Sequence, residues 1–194
     1  MYRAKAQGAG NLTVFDQEMH TGAIARLDME AGLRDAVGRG DLRLHYQPIV
    51  DLRSGATFSA EALLRWLHPE HGSIPPERFI PLAEETNLII PIGQWVLTEA
   101  CRQAQEWTNR GAAAGAIVSV NLSARQFQDA RLVERIHDAL RRSGLPANRL
   151  CLEITETTVM QDAGSAIMML NDPALAGGSG RAGRFRPGTP PSAT

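Results

Sequence analysis

Apolar positions along the chain fall into two periods, and the switch between them marks out its elements. Leu27, Leu33, Ala36 and Val37, set among Arg26, Asp28, Glu30, Arg34 and Asp35, have the spacing of an amphipathic helix, which Gly38 and Gly40 end. Leu42-Arg43-Leu44-His45-Tyr46-Gln47 then alternates in the period of a strand. Thr57 to Leu67 reads as a second strand after a turn at Ser54-Gly55. A short hairpin between these two makes them antiparallel. From there helices are expected over Pro76–Glu85, Pro91–Arg110 and Ala130–Ser143, strands over Ala116–Leu122 and Arg149–Thr155, and a helix start over Ala163–Leu170. Such alternation of strand and helix implies a parallel sheet.

Polar residues interrupt three of the apolar, β-branched stretches. Glu61 and Arg65 stand four apart in Glu61-Ala62-Leu63-Leu64-Arg65-Trp66, a segment that otherwise reads as a buried strand. A buried carboxylate is costly unless it is paired or holds a metal. Asn121 in Val118-Ser119-Val120-Asn121-Leu122-Ser123 and Glu153 in Leu152-Glu153-Ile154-Thr155-Glu156 have the same setting. Read one at a time, Glu61 and Arg65 could form an ordinary ion pair and Asn121 a helix cap or turn residue. Read together, three interruptions of one kind suggest one site. Cys101, Trp95 and Trp107 share a helical stripe and are expected in the core. His68 and His71 read as loop residues and Glu84-Glu85 as a solvated helix end.

These segments, with Tyr46-Gln47-Pro48-Ile49 before them and Arg78-Phe79-Ile80-Pro81-Leu82-Ala83-Glu84 between, resemble the EAL family of cyclic di-GMP phosphodiesterases, whose name spells Glu61-Ala62-Leu63. Five motifs in family order, from about Arg26 to Asp172, carry the resemblance. It implies an α/β fold, a modified (β/α)8 TIM-type barrel with an antiparallel first strand. It also implies metal-dependent hydrolysis of one phosphodiester bond of cyclic di-GMP to give linear pGpG. Residue for residue, Glu61, Asn121 and Glu153 match the family's metal ligands, with Glu61 central to catalysis. Gln47 and Arg65 match residues that hold the substrate, and Glu156 matches a glutamate that anchors a loop of the catalytic face. Oxygen ligands of this kind suit Mg2+ or Mn2+, and no His/Cys cluster points to zinc. The family also leaves room for a homodimer between EAL domains. Met1-Tyr2-Arg3-Ala4-Lys5-Ala6-Gln7-Gly8 is similar to the last helix of a GGDEF domain, so residues 1–25 are read as its remnant and a linker, and 26–172 as the N-terminal part of the EAL domain.

Composition narrows the picture further. The chain has 194 residues, 43% hydrophobic and 21% charged, with a formal net charge of −1. That is ordinary for a globular protein and offers no general field for DNA or RNA, so phosphate recognition must be local. A whole TIM-type barrel takes about 250 residues, which makes the expected barrel incomplete. Cys101 and Cys151 fall in element interiors and read as buried reduced thiols, which with the absence of a leader-like start favours a cytoplasmic protein. The most apolar stretch, Leu88 to Leu97, is too short to span a bilayer and contains Pro91 and Gln94.

After Asp172 the character changes. Gly177, Gly178, Gly180, Gly183 and Gly188 with Pro187, Pro190 and Pro191 leave no apolar period, so residues 173–194 are expected to be disordered and to form no barrel strand. The family continues instead with a strand and a D-D-F-G-T-G motif that supplies further metal ligands. Read one nucleotide later, the codons of Gly183-Arg184-Phe185-Arg186 can encode D-D-F-G, and the same shift from Pro173 permits L-R-x-L-G-V-R-V-A-L before it. A frameshift near codon 173 is therefore expected. With it come a chain without appreciable catalysis, a degenerate module that binds cyclic di-GMP or a protein partner without turnover, or a non-functional gene fragment.

Overall fold

The computed structural model describes residues 17–111, 115–154 and 184–187. It opens with α1 (Gln17–Arg39), β1 (Leu42–Val50) and β2 (Thr57–His68), then β3 (Gly72–Ile74), α2 (Pro76–Glu85) and α3 (Ile89–Asn109). Next come β4 (Ile117–Leu122), the single turn α4 (Ala124–Phe127), α5 (Leu132–Ser143), a 3-10 turn at Ala147–Arg149, β5 (Leu150–Ile154) and β6 (Arg184–Pro187). The sheet order is β1-β2-β4-β5-β6, with β3 paired to β2. β1 runs antiparallel to β2, whereas β2–β4, β4–β5 and β5–β6 are parallel. This is part of a TIM-type barrel that starts with an antiparallel hairpin, as the strand pattern implies.

The pleat sorts the sheet into two faces. Ala60, Ala62 and Trp66 of β2, Val118, Val120 and Leu122 of β4, and Leu150, Leu152 and Ile154 of β5 share the outer face and are all buried. All but Ala60 belong to one core with Ile92, Val96, Leu97, Ala100, Cys101 and Ala104 of α3 and Ile136 and Ala139 of α5. Trp66 stands edge-on to Phe79 of α2 at 5.6 Å, and both are fully buried. α1 packs across the end of β2 through Leu33 and Ala36. Gly32 makes this approach possible, since a Cβ there would lie 3.0 Å from His68 Nε2 and 3.4 Å from Trp66. Arg149 ties the opposite end of the sheet, donating from Nε to Ala116 O at 2.9 Å and from Nη1 to Thr108 Oγ1 at 2.5 Å.

Element limits shift by a few residues for local reasons. α3 starts before Pro91, because proline in a first turn needs no N–H partner. α5 starts at Leu132 because Asp129 takes the preceding amides, through its carbonyl from Leu132 and its carboxylate from Arg131. One expectation is overturned: β6, beyond Asp172, adds a parallel strand to β5, with Leu152 opposite Phe185 and Glu153 opposite Arg186. Strand pairing is made by backbone groups, and the unpaired edge of β5 accepts the glycine-free run between Gly183 and Gly188 without needing an apolar period. The expected helix start at Ala163–Leu170 and residue Glu156 lie outside the described residues.

Phe79→Ala is expected to lower stability by about 3–5 kcal/mol, measured by urea unfolding, because it empties the contact that joins α2 to Trp66. Burial pushes the Cys101 thiol up from 9.0 to about 12. Its contribution to stability is therefore complete below pH 9.0 and is lost as pH rises towards 12, which unfolding midpoints in Cys101→Ala and the parent chain will show by converging pH profiles.

Candidate functional site

The inner face carries the polar interruptions. Register places Gln47 opposite Glu61, Glu61 opposite Ser119, and Asn121 opposite Glu153, so residues of β1, β2, β4 and β5 share one side of the sheet. Arg65 joins them by parity with Glu61. Asn121 and Glu153 are each the last but one residue of their strands, at the C-terminal ends where barrel enzymes build their sites.

Glu61, Arg65, Asn121 and Glu153 line one cleft of about 480 Å³. Asn121 Nδ2 donates to Glu61 Oε1 at 2.8 Å, and Arg65 Nη1 donates to the carbonyl of Leu64 at 2.8 Å. Glu61 and Arg65 therefore do not form the simple ion pair that their spacing allows. Gln47 is exposed at the neighbouring position of β1 and is not among the residues lining the cleft. The cleft's apolar lining comes from the helix layer: Ile80 of α2 with Ile89, Ile92 and Val96 of α3. A cleft with one polar floor and one apolar wall accommodates a ligand that has both charged and flat apolar parts.

Sequence reasoning left out several lining residues. Glu84, expected at a solvated helix end, instead lines the cleft from α2, whereas Glu85 beside it is at the surface and pairs with Arg26. Gly93, Ser123 and Gln126 also line it, and Ser123-Ala124-Arg125-Gln126 is a capping-box pattern two residues after Asn121 that could have drawn attention to Ser123 and Gln126. His68 and His71 stack at 4.6 Å at the far end of β2, where His68 Nδ1 accepts from the Glu70 and His71 amides and orders the turn.

The donor set suits a hard divalent cation: two carboxylates and a carboxamide oxygen on one face. Among the described residues, no group of three or more His, Cys, Asp or Glu forms a metal-holding cluster, so Asn121 is needed to make up even three donors. None of the described helices is long and apolar enough to cross a membrane.

Fold and inner-face chemistry together define part of a TIM-type barrel with polar side chains gathered at the C-terminal ends of its parallel strands. The EAL domain family model matches residues 30–173, and the chain belongs to that family. It is 47% identical over 170 residues to MucR of Pseudomonas aeruginosa, a bifunctional diguanylate cyclase/cyclic di-GMP phosphodiesterase, covering 88% of this chain and 25% of that protein. It is 40% identical over 157 residues to the oxygen sensor protein DosP of Escherichia coli, covering 81% of this chain and 20% of that protein. Among solved structures, the MucR phosphodiesterase in complex with c-di-GMP superposes with a TM-score of 0.70 at 48% identity, over 73% of this chain and 57% of that one. The chain thus spans a quarter or less of either curated relative.

Glu61 lies outside the apolar core and contributes little to the fold. Glu61→Ala is expected to change unfolding stability by no more than about 0.5 kcal/mol, measured by urea titration, since a half-exposed carboxylate is removed and Asn121 can turn to water.

Proposed function

We propose that this chain carries the cyclic di-GMP site of an EAL domain and, as the 194-residue polypeptide, binds the dinucleotide without turning it over. The observation that carries this reading is the convergence of Glu61, Arg65, Asn121 and Glu153 on one cleft with an apolar wall. The likeness to a MucR structure solved with c-di-GMP supports it. Arg65 would grip a phosphate through its planar fork, and Gln47 would contact the ligand from the edge of β1. Glu61, Asn121 and Glu153 would hold Mg2+ or Mn2+. A divalent cation there would supply activation of the attacking water and neutralisation of phosphoryl charge.

Turnover asks for more oxygen donors than the described residues bring to this floor. Residues 173–194 contain no aspartate or glutamate, so they add no carboxylate to the site. Metal held by too few ligands is weakly bound and badly placed for in-line attack. We infer that the shifted reading from codon 173, which restores D-D-F-G, is the hydrolase sequence.

The test is calorimetry with cyclic di-GMP and Mn2+, run beside a turnover assay. The parent chain is expected to bind and Arg65→Ala to bind at least tenfold more weakly, because a charged hydrogen bond is lost. Turnover is expected only in the frame-restored protein and to vanish when Glu61→Ala is added. Hydrolysis by the 194-residue chain itself would overturn the inactive reading.

A further inference from the structure

Among the described residues, Asn121 has backbone support from one side only. The β2–β4 ladder ends at Ala62 opposite Val120, while Asn121 and Leu122 are paired solely with Glu153 and Ile154 of β5. The side chain that donates to Glu61 therefore stands on a half-supported strand end, two residues before Ser123.

Beyond that end the backbone is secured by side chains. Gln126 N–H donates to Ser123 Oγ at 3.2 Å, and Ser123 N–H donates to Gln126 Oε1 at 3.2 Å. α4 is a single turn, too short to persist through helical propensity, so this reciprocal pair and buried Phe127 hold it. Gln126 is itself only 6% exposed. Its carboxamide lies flat against Gly93 of α3, where a Cβ would stand 1.9 Å from Nε2 and 2.7 Å from Cδ. Gly93 lies inside a helix and has no positive φ, so it is the space, not the backbone, that calls for glycine. Gly93, Ser123 and Gln126 all line the cleft.

We propose that Gly93, Ser123 and Gln126 form a latch that fixes the exit of β4 and thereby aims Asn121 at Glu61. The latch rests on the reading that this cleft is the dinucleotide site. The three are positioning residues: the seat on α3 holds the Gln126 amide, the amide holds the Ser123 backbone, and that backbone sets the direction in which Asn121 leaves the strand. α3 is thus coupled to the site floor by the packing of Gly93 against the Gln126 carboxamide as well as by its apolar lining.

The experiment uses the 15N-labelled full chain and reads two signals, backbone amide exchange at Ser123 and the side-chain amide resonances of Asn121. In Gln126→Ala, exchange at Ser123 should quicken roughly fivefold, the loss expected of one capping bond. The Asn121 resonances should move to the positions they take in Glu61→Ala. Gln126→Glu keeps the accepting Oε1 and should restore both signals. Gly93→Ala should reproduce the loss in the parent chain yet add nothing in the Gln126→Ala background, where the space is vacant. Asn121 resonances that stay in place in folded Gln126→Ala, or a Gly93→Ala effect of equal size in both backgrounds, would overturn the latch. If Gly93→Ala fails to fold, Gln126→Ala, which only removes atoms, decides the matter with its glutamate counterpart. Both signals are read without ligand, so absence of cyclic di-GMP binding would sink the functional reading and leave this one standing.

Discussion

Register across β2, β4 and β5 is the constraint on which everything else depends. Because successive side chains alternate between faces, the pairing that buries Ala62, Val118, Val120 and Leu152 under α3 and α5 is the same pairing that puts Glu61, Asn121 and Glu153 on the other side. A slip of one residue would drive both carboxylates into the helix layer, where a lone charge is too costly to keep. Core and site are therefore specified by a single choice, and the apolar face enforces the geometry of the polar one.

That coupling explains what could be read from the chain directly. The strands around Glu61, Asn121 and Glu153 announce themselves because each polar residue breaks a run of apolar and β-branched neighbours, and the hairpin of β1 with β2 shows in simple alternation. Less visible were β3 and α4, which span three and four residues and carry no measurable period. β6 was hidden for a different reason: the glycines and prolines around it argue against a strand, yet the open edge of β5 offers backbone partners to whatever run lies alongside.

The site was legible by its donors more than by its shape. Gln47, Glu61, Arg65, Asn121 and Glu153 share one face, but only the last four line the cleft, and its apolar lining comes from α2 and α3. How those helices turn is decided by packing against Trp66 and the outer face, a tertiary matter that local pattern does not carry. The same gap explains Glu84 and Glu85, adjacent and alike in sequence, one facing the cleft and the other bridging to Arg26.

The antiparallel start of the sheet bears on the order in which the molecule assembles. The Asp51–Ala56 turn is prearranged by Asp51, whose carboxylate accepts from the Arg53 and Ser54 amides and from Ser54 Oγ. Those bonds, that from the Ser54 amide foremost, hold its carboxyl below the usual carboxylate range. β1 and β2 therefore meet after closing a short loop, whereas the first parallel pairing joins Ser59 to Ile117 across 58 positions. The difference in closure entropy is about 2 kcal/mol, and it favours the hairpin as the template onto which the later strands dock. A regular barrel, in which every neighbouring strand waits for an intervening helix, has no such local beginning. In this chain the ribbon that presents Gln47 and Glu61 side by side can form before the strands that bring Asn121 and Glu153 to them.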